Sequence, residues 1–410
     1  MIVRQVNVVN ESNRKRDVIF LFAFFILFPG FFIYHYFVGK SMIPPVLGGY
    51  FGIMAVILFP FLTIFYLKIK LRQLFLTRVE ILFYLLLLVM FYTALIHFSL
   101  DSQKHYSTAI VKQTITALLF LLVCYFIGRY IRLDSKKTKL FLLMVLFSMG
   151  IMVITNTTQG MFYLRMSSIY SEYVSTYQGF ARSIVVMAIV LICITKSKKV
   201  EFILYLFSLV ILFLNGARTE FYCFLVSYFV YHFTLKIGNL WKEIKYVFSL
   251  FFLVLLIVIF SHHLYNYIPN NRVINLAINP FEQTSFQLRQ YQINEGLETI
   301  AENPLMGDYG SYALTMGPGN AMHNFLSVWV DLGIIGLLIY IIMFLVIAFQ
   351  LYKYAKLKLV ENTEYRLAVF FFIFCLLAVI TGKGYSYMLI GLVVGFYAQF
   401  KELVYNGKRS

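Results

Sequence analysis

Residues 323–349 read HNFLSVWVDLGIIGLLIYIIMFLVIAF, and this apolar run decides the class of fold. A run of at least ~17–20 apolar residues crosses the hydrocarbon core of a bilayer as a helix. The run follows the longest polar segment of the chain, roughly residues 264–322, which carries arginines and carboxylates. The sequence therefore predicts a membrane helix that follows a long loop outside the bilayer.

The composition of the whole chain extends this prediction. Hydrophobic residues make up 61% and charged residues 13% of the 410 positions, against roughly a quarter charged in soluble domains. The sequence predicts an all-α fold, a polytopic transmembrane helical bundle forming a single domain over 1–410. Continuous rather than alternating apolar runs argue against a β-barrel. About twelve spans are predicted, near 18–38, 45–67, 80–98, 113–133, 140–156, 179–195, 200–216, 219–237, 246–263, 323–349, 366–381 and 387–403.

The basic residues predict the orientation of the bundle. Most of the 35 lysines and arginines cluster on every second connection, for example at 14–16, 68–78, 129–139 and 353–366. The positive-inside rule then places both termini in the cytoplasm and the long loop outside. The net charge of +17 is a topology signal rather than a nucleic-acid patch, because no basic domain carries it.

Two outer loops are predicted, a smaller one at 157–178 and the long one at 264–322. Within the long loop, Phe281 to Glu302 is predicted as a surface helix. It should end before Pro304, since proline disfavours helix at the preceding residue. The glycines from Gly307 to Gly319 predict a segment without regular structure, suited either to the close approach of a sugar or to ordinary turns.

Arginines on the outer side are candidates for binding phosphate, because a guanidinium matches phosphate oxygens bidentately. Ordinary loop solvation or snorkelling is the favoured interpretation of Arg165 and Arg272. Arg218 lies in the tight turn Asn215-Gly216-Ala217-Arg218-Thr219-Glu220, where phosphate binding competes with a salt bridge to Glu220. Arg289, on the predicted surface helix, either binds phosphate or forms a local ion pair.

His323 lies where the long loop meets a predicted span, with Asn324 beside it. An imidazole with an ordinary pKa can take a proton from a sugar hydroxyl or hydrogen-bond a phosphate; a structural role is the alternative. His105, His262 and His263 also lie on the outer side but are weaker candidates. Asp331, inside an apolar run, is either functional or a paired structural acid.

The absence of several well-known motifs argues against some classes of function. The sequence contains no Walker-type loop, Rossmann glycine pattern, HExxH or DxD pair, so it implies neither a metal nor a nucleotide, and no cofactor. The four cysteines lie in apolar runs, where they behave as small hydrophobic residues. The predicted spans also lack a chain of mid-membrane carboxylates, which disfavours a proton-driven transporter.

A family resemblance rests on three motifs in order: Asn303-Pro304-Leu305-x-Gly307, His323-Asn324-x-Leu326 and Asp331-Leu332-Gly333-x-x-Gly336-Leu337. This run resembles the signature of the O-antigen ligase and O-antigen polymerase superfamily, which are bacterial inner-membrane glycosyltransferases of GT-C type with a long periplasmic loop. The turn at 216–219 resembles the family's Arg-bearing turn. The ligase branch often has a second histidine just before the motif histidine, where this chain has Asn320-Ala321-Met322, and this favours the polymerase branch.

The resemblance implies a metal-independent, inverting transfer at the periplasmic face of the inner membrane, from an undecaprenyl-diphosphate-linked oligosaccharide. It implies His323, Arg289 and Arg218 as catalytic residues. Candidates for substrate binding are Arg182, Asn324, Asn303 and Arg165. A polymerase acting on O-antigen or capsular repeat units, with a chain-length regulator as a partner, is the first hypothesis. A ligase that transfers the polymer to lipid A-core is the second, and a lipid-linked oligosaccharide flippase is the third.

Overall fold

A computed structural model gives the architecture of residues 18–44, 49–70, 76–100, 104–133, 135–162, 177–235, 259–261, 263–279, 281, 284–317, 321–356 and 362–406. A two-stranded antiparallel hairpin, Thr157–Thr158 with Met161–Phe162, is its β-structure among these residues. The helices are α1 (Val18–Gly39), α2 (Tyr50–Lys70), α3 (Arg78–Leu100), α4 (Lys104–Tyr130), α5 (Lys136–Thr155), α6 (Tyr177–Ile194), α7 (Lys198–Asn215), α8 (Arg218–Thr234), α9 (Arg272–Ile278), α10 (Thr284–Glu302), α11 (Tyr312–Thr315), α12 (Ser327–Lys356), α13 (Thr363–Thr381) and α14 (Leu389–Asn406).

The all-α, multi-helix prediction is confirmed. Within the part of the chain that the structure describes, eight helices are long and apolar enough to cross a membrane: α1 to α6, α12 and α13. The predicted runs that became α7, α8 and α14 are helical but do not belong to this set. Most of the predicted run at 246–263 lies outside the described residues. The predicted surface helix is α10, which ends at Glu302 just before Pro304, as expected.

Helices α4 and α14 pack with their backbones close together. A methyl group on Gly395 would lie 2.5 Å from the Tyr125 carbonyl oxygen, and one on Gly128 would lie 2.7 Å from that of Leu392. Gly391 and Gly395, four residues apart, share one face of α14. Small residues at this spacing let membrane helices approach closely, so this pair of helices forms a tight centre for the bundle.

Helix α12 is broken near its start by the segment that precedes it. Gly333 has φ 65° and ψ −169°, which interrupts the helical path. The amide of Asp308 donates to the Val330 carbonyl (2.7 Å), and the amide of Ile334 donates to the Pro304 carbonyl (3.1 Å). The segment from Pro304 to Asp308 therefore satisfies backbone groups that the break releases, as buried polar groups require.

Asp331 lies at this break and is buried. Its carboxylate accepts from the Gly310 amide at 3.1 Å, and the Tyr385 hydroxyl is within hydrogen-bonding reach. Of the two sequence interpretations, these contacts support the structural one: Asp331 holds the loop against α12.

Arg366 stabilises the end of the bundle where α6 ends and α7 and α13 begin. Its guanidinium donates to the carbonyls of Thr195 (2.9 Å) and Ile192 (3.1 Å) at the end of α6, where the last carbonyls of a helix need partners from outside it. It also donates to the Tyr231 hydroxyl (2.6 Å) and pairs with Glu201 (3.2 Å). One largely buried side chain thus joins α6, α7, α8 and α13.

Replacing Arg366 by alanine is expected to lower the free energy of unfolding by about 3 kcal/mol, because Glu201 is left buried without this partner. The measurement is SDS-induced unfolding of the purified protein in mixed micelles. Lys353→Ala, at an exposed position of α12, is the control and should change stability by less than about 0.5 kcal/mol. Equal effects of both variants would contradict this role of Arg366.

Candidate functional site

Several helices and loops meet at the end of the bundle where α6 and α8 begin and α13 ends; we call this the His323 end. The connection from α13 to α14, residues 382–388, crosses it. Two neighbouring cavities open there, one mostly apolar and one with a mixed polar and apolar lining. The residues that line them are drawn from distant parts of the chain, so the site exists only in the folded bundle.

The first cavity, the Arg218–Arg289 cavity, measures about 260 Å³. Its walls are mainly apolar, from α8, α9, α10 and α13. Its polar lining comes from Arg218, Thr219, Arg289 and Thr381. The combination of an apolar groove with guanidinium groups suits a ligand that has both a hydrocarbon chain and an anionic head.

Arg289 is held in place by contacts with α13 and α8. Its guanidinium donates to the Thr381 carbonyl at 3.3 Å and to the Thr219 hydroxyl at 3.5 Å. A methyl group on Gly382 would lie 3.0 and 3.1 Å from its two terminal nitrogens. A side chain at residue 382 would therefore press on the guanidinium and shift it by a few tenths of an ångström.

Arg218 lies near two other arginines. Both Arg272 and Arg289 are close enough to act electrostatically on its guanidinium, and Arg272 stacks over the Tyr177 ring at 4.4 Å. Three cations concentrated in this way repel one another, and a bound anion relieves that repulsion. Glu220, the local partner considered from sequence, is buried and pairs with Lys383 at 2.7 Å.

The second cavity, the His323 cavity, measures about 200 Å³ and has a lining that mixes polar and apolar surface. His323, Arg182, Gln178 and Lys383 all line it. Lys383 also donates to the Gln178 side chain at 3.3 Å. The two cavities are neighbours because Lys383 and Thr381 are separated only by Gly382 at the end of α13.

The imidazole of His323 is uncharged in this setting. Burial, followed by the charges of Arg289 and Lys383, lowers the pKa of His323 from its usual 6.5 to about 4. Each cause disfavours the imidazolium ion. The ring is thus unprotonated near neutral pH, with a ring nitrogen free of a proton.

Arg182, on α6, lines the His323 cavity. Its guanidinium lies over the Phe51 ring at 4.9 Å and donates to the Met388 sulfur at 2.9 Å. Its Nε is buried and has no hydrogen-bond partner within the described part of the chain. Arg182 therefore retains donor capacity next to the cavity.

The other predicted site residues have different positions. Asn324 stabilises the turn just before α12: its side-chain oxygen accepts from the Leu326 amide at 2.9 Å, so it orients the backbone beside His323. Asn303 is exposed just after α10 and is not among the residues that line the two cavities. Arg165 and His262 lie outside the described residues. His263 is exposed and packs against Tyr267.

The sequence did not single out Lys383 and the turn that carries it. Lys383 contacts both Gln178 and Glu220. These two residues lie on other helices, far from Lys383 along the chain. A signal was present: Gly382-Lys383-Gly384 is a glycine-flanked cation between two apolar runs on the predicted outer side. It could have marked the turn as a place of close backbone approach.

The comparison with known families agrees with the motifs. Residues 203–341 match the family described as O-antigen ligase. This match confirms the resemblance and places these residues in the O-antigen ligase and polymerase superfamily. The matched range contains Arg218, Arg289 and His323. No curated protein matches the chain.

Replacing Gly382 by alanine is expected to lower sugar-transfer activity about tenfold while the protein stays folded. The backbone at residue 382 is extended (φ 174°), so alanine causes no strain there; its methyl group instead displaces the Arg289 guanidinium. A misplacement of this kind is costly in catalysis. Gly52→Ala, which would make only ordinary contact with Thr116 at 3.7 Å, is the control, and equal activity of the two variants would refute this role.

Proposed function

We propose that this protein is a polysaccharide polymerase that joins undecaprenyl-diphosphate-linked oligosaccharide repeat units. The observation that carries the proposal is the adjacency of two cavities with complementary chemistry. One offers an apolar groove with Arg218 and Arg289. The other offers polar side chains in its walls and the neutral His323. A lipid-linked diphosphate sugar needs the first, and a sugar hydroxyl that reacts with it needs the second.

In the proposed reaction, the acceptor hydroxyl oxygen attacks the anomeric carbon of the donor sugar. The bond from that carbon to the diphosphate oxygen breaks with inversion, and undecaprenyl diphosphate leaves with the bonding electrons. His323 takes the proton of the attacking hydroxyl. Arg218 and Arg289 stabilise the charge that develops on the diphosphate, which is often the largest single contribution to catalysis. With these cations at the leaving group, the step needs no metal.

The remaining candidates have supporting roles in this proposal. Arg182 binds substrate oxygens from the wall of the His323 cavity. Asn324 acts by orienting the chain next to His323. Asn303 remains a predicted substrate contact from outside the two cavities, and Arg165, which is not among the described residues, remains a prediction from the sequence.

The membrane arrangement is part of the same proposal. A GT-C-like bundle of about twelve spans lies in the bacterial inner membrane, with both termini in the cytoplasm and the His323 end facing the periplasm. The distribution of lysine and arginine along the sequence supports this orientation. A single domain over 1–410 with periplasmic loops at 157–178 and 264–322 follows from it, and a chain-length regulator is the expected partner.

Ligase activity is the second candidate, and a specific observation favours it: the matching family is described as O-antigen ligase. A ligase would use the same donor and the same cations but would accept lipid A-core in place of a second repeat unit. The absence of a histidine from residues 320–322 is the sequence feature that favours the polymerase.

The test is a gel of surface polysaccharide from a strain that lacks this gene and is complemented with the wild-type protein. Loss of the ladder with survival of a core-plus-one-repeat band in the deletion strain supports the polymerase. Loss of both, with accumulation of lipid-linked polymer, supports the ligase instead. An unchanged ladder contradicts both and returns the flippase to first place.

The lowered pKa of His323 predicts the pH dependence of transfer. The base is active when unprotonated, so kcat/KM is expected to fall only as pH decreases through about 4. The double variant Glu220→Gln/Lys383→Met removes the Lys383 cation, which is one cause of the lowered pKa of His323. The pKa of His323 should rise, and the fall of kcat/KM at acid pH should therefore begin at a higher pH. Initial rates of the purified protein give the profiles. Lys40→Met, at an exposed position, should leave the pH of this fall unchanged; an unshifted fall in the double variant would count against His323 as the base.

A further inference from the structure

A third cavity, of about 230 Å³, lies between α10 and the segment that precedes α12; we call it the α10 groove. On the α10 side it is lined by Gln292, Glu295, Thr299 and Glu302. These positions recur at helical spacing and so form one polar strip on a single face. The strip faces a cavity, where it is available to a ligand.

Gln292 provides an independent sign of a ligand. The residue is only 2% exposed, and its side-chain oxygen has no hydrogen-bond partner within the described part of the chain. A buried acceptor without a partner costs roughly 1–3 kcal/mol. A hydroxyl group bound in the groove would donate to this oxygen and remove that cost.

The α10 groove adjoins the His323 cavity. Tyr312 and Met322 line both, and Met322 is the residue directly before His323. Gly296 leaves room for the Met322 side chain to pack against α10, because a methyl group on Gly296 would lie 2.7 Å from the Met322 sulfur. A ligand that extends from the His323 cavity past Tyr312 would thus enter the groove.

The charge of the groove is opposite to that of the Arg218–Arg289 cavity. The charged residues that line it are Glu295, Glu298, Glu302 and Asp308. Glu295 and Glu302 are separated by about 10 Å along the helix axis. Carboxylates spread over that distance are better placed to bind the hydroxyl groups of an extended glycan than to bind a single cation. They also repel a diphosphate.

We propose that the α10 groove binds the acceptor glycan, specifically sugar units without anionic groups that adjoin the sugar reacting at His323. Gln292 and the carboxylates of α10 accept hydrogen bonds from the sugar hydroxyls, and Tyr312 packs against a sugar ring at the junction. The identity of the glycan as an acceptor rests on the proposed function; the site itself rests on the groove and Gln292.

The test is equilibrium binding of the delipidated repeat-unit oligosaccharide, released by mild acid, to the purified full-length protein. Gln292→Leu is expected to weaken binding about tenfold, through loss of a buried hydrogen bond. Glu302→Gln, at an exposed position that does not threaten folding, should weaken it about threefold. The matched control is Gln290→Leu, two residues away on α10 but exposed and bonded to Asn294; it should bind like the wild type.

The outcomes separate this proposal from the proposed function. If both Gln292→Leu and Glu302→Gln bind the oligosaccharide with wild-type affinity, the groove is not a glycan site, even if the protein transfers sugar normally. The same conclusion follows if the wild-type protein does not bind the oligosaccharide. Weakened binding in these variants, together with full transfer by His323→Ala, would keep the groove as a glycan site and refute the proposed function of His323.

Discussion

Polymer formation by Arg289→Ala is expected to fall by about two to three orders of magnitude, the range seen when one preorganised donor to a developing oxyanion is removed. The guanidinium is fixed by the Thr381 carbonyl and the Thr219 hydroxyl, so it needs little reorganisation when charge appears on the leaving diphosphate. The measurement is the initial rate of polymer formation by purified protein supplied with lipid-linked repeat units.

Arg289→Lys separates charge from geometry in the same assay. Lysine keeps the positive charge but loses the planar fork, so it should recover only part of the rate. Arg78→Ala removes an arginine from an exposed position at the start of α3 and should retain the wild-type rate. If Arg289→Ala stays within a factor of two of Arg78→Ala, the assignment of Arg289 is wrong.

Gly333→Ala is expected to produce the largest loss of stability, at least about 4 kcal/mol, which is exceptional for one methyl group. With φ 65° and ψ −169°, residue 333 occupies a region open essentially only to glycine. An added methyl group would also run into the carbonyl of Leu305. The change is read out as SDS-induced unfolding in mixed micelles and as the folded yield from membranes.

Gly307→Ala should show a related defect from the other side of the contact. Gly307 has φ 70°, and its methyl group would lie 2.6 Å from the Gly333 amide nitrogen. Gly52→Ala, inside α2 and with only ordinary contacts, should be neutral or slightly stabilising, because alanine favours helix. Near-normal stability of Gly333→Ala would contradict the interlocked break described for α12.

These two glycines explain part of the sequence signature in physical terms. The segment from Pro304 to Asp308 and the segment from Val330 to Ile334 approach closely at these glycines and exchange backbone hydrogen bonds in both directions. The motif is therefore partly structural: it holds the break in α12 and, through it, the turn that carries His323. In the proposed mechanism, the chemistry lies in His323 and in the arginines, which other helices supply.

The sequence predicted the helices well because apolar runs are a local signal. Helix α10 and its end before Pro304 followed from the same kind of reasoning. The break at Gly333 could not be predicted, since residues 323–349 read as one continuous run and the groups that replace the lost helical bonds belong to Pro304 and Asp308. Their approach depends on tertiary packing.

The residues that line the two candidate cavities were predicted in part for a similar reason. Arginine and histidine at loop boundaries are visible as residue types, so Arg218, Arg289 and His323 could be proposed from the sequence alone. The contact of Arg289 with Thr381 and that of Lys383 with Glu220 join distant positions, and no local pattern reports them. The position of Asn303 away from the cavities could likewise be known only from the fold.

The most direct test of the central claim, that His323 is the base of a glycosyl-transfer site, compares His323→Ala with His263→Ala. Both purified proteins are given lipid-linked repeat units under the same conditions, and polymer length and yield are measured on gels. His263 is an exposed histidine outside both cavities. We expect His263→Ala to retain wild-type polymer and His323→Ala to lose at least about a hundredfold in rate. Wild-type polymer length and yield from His323→Ala would contradict the account.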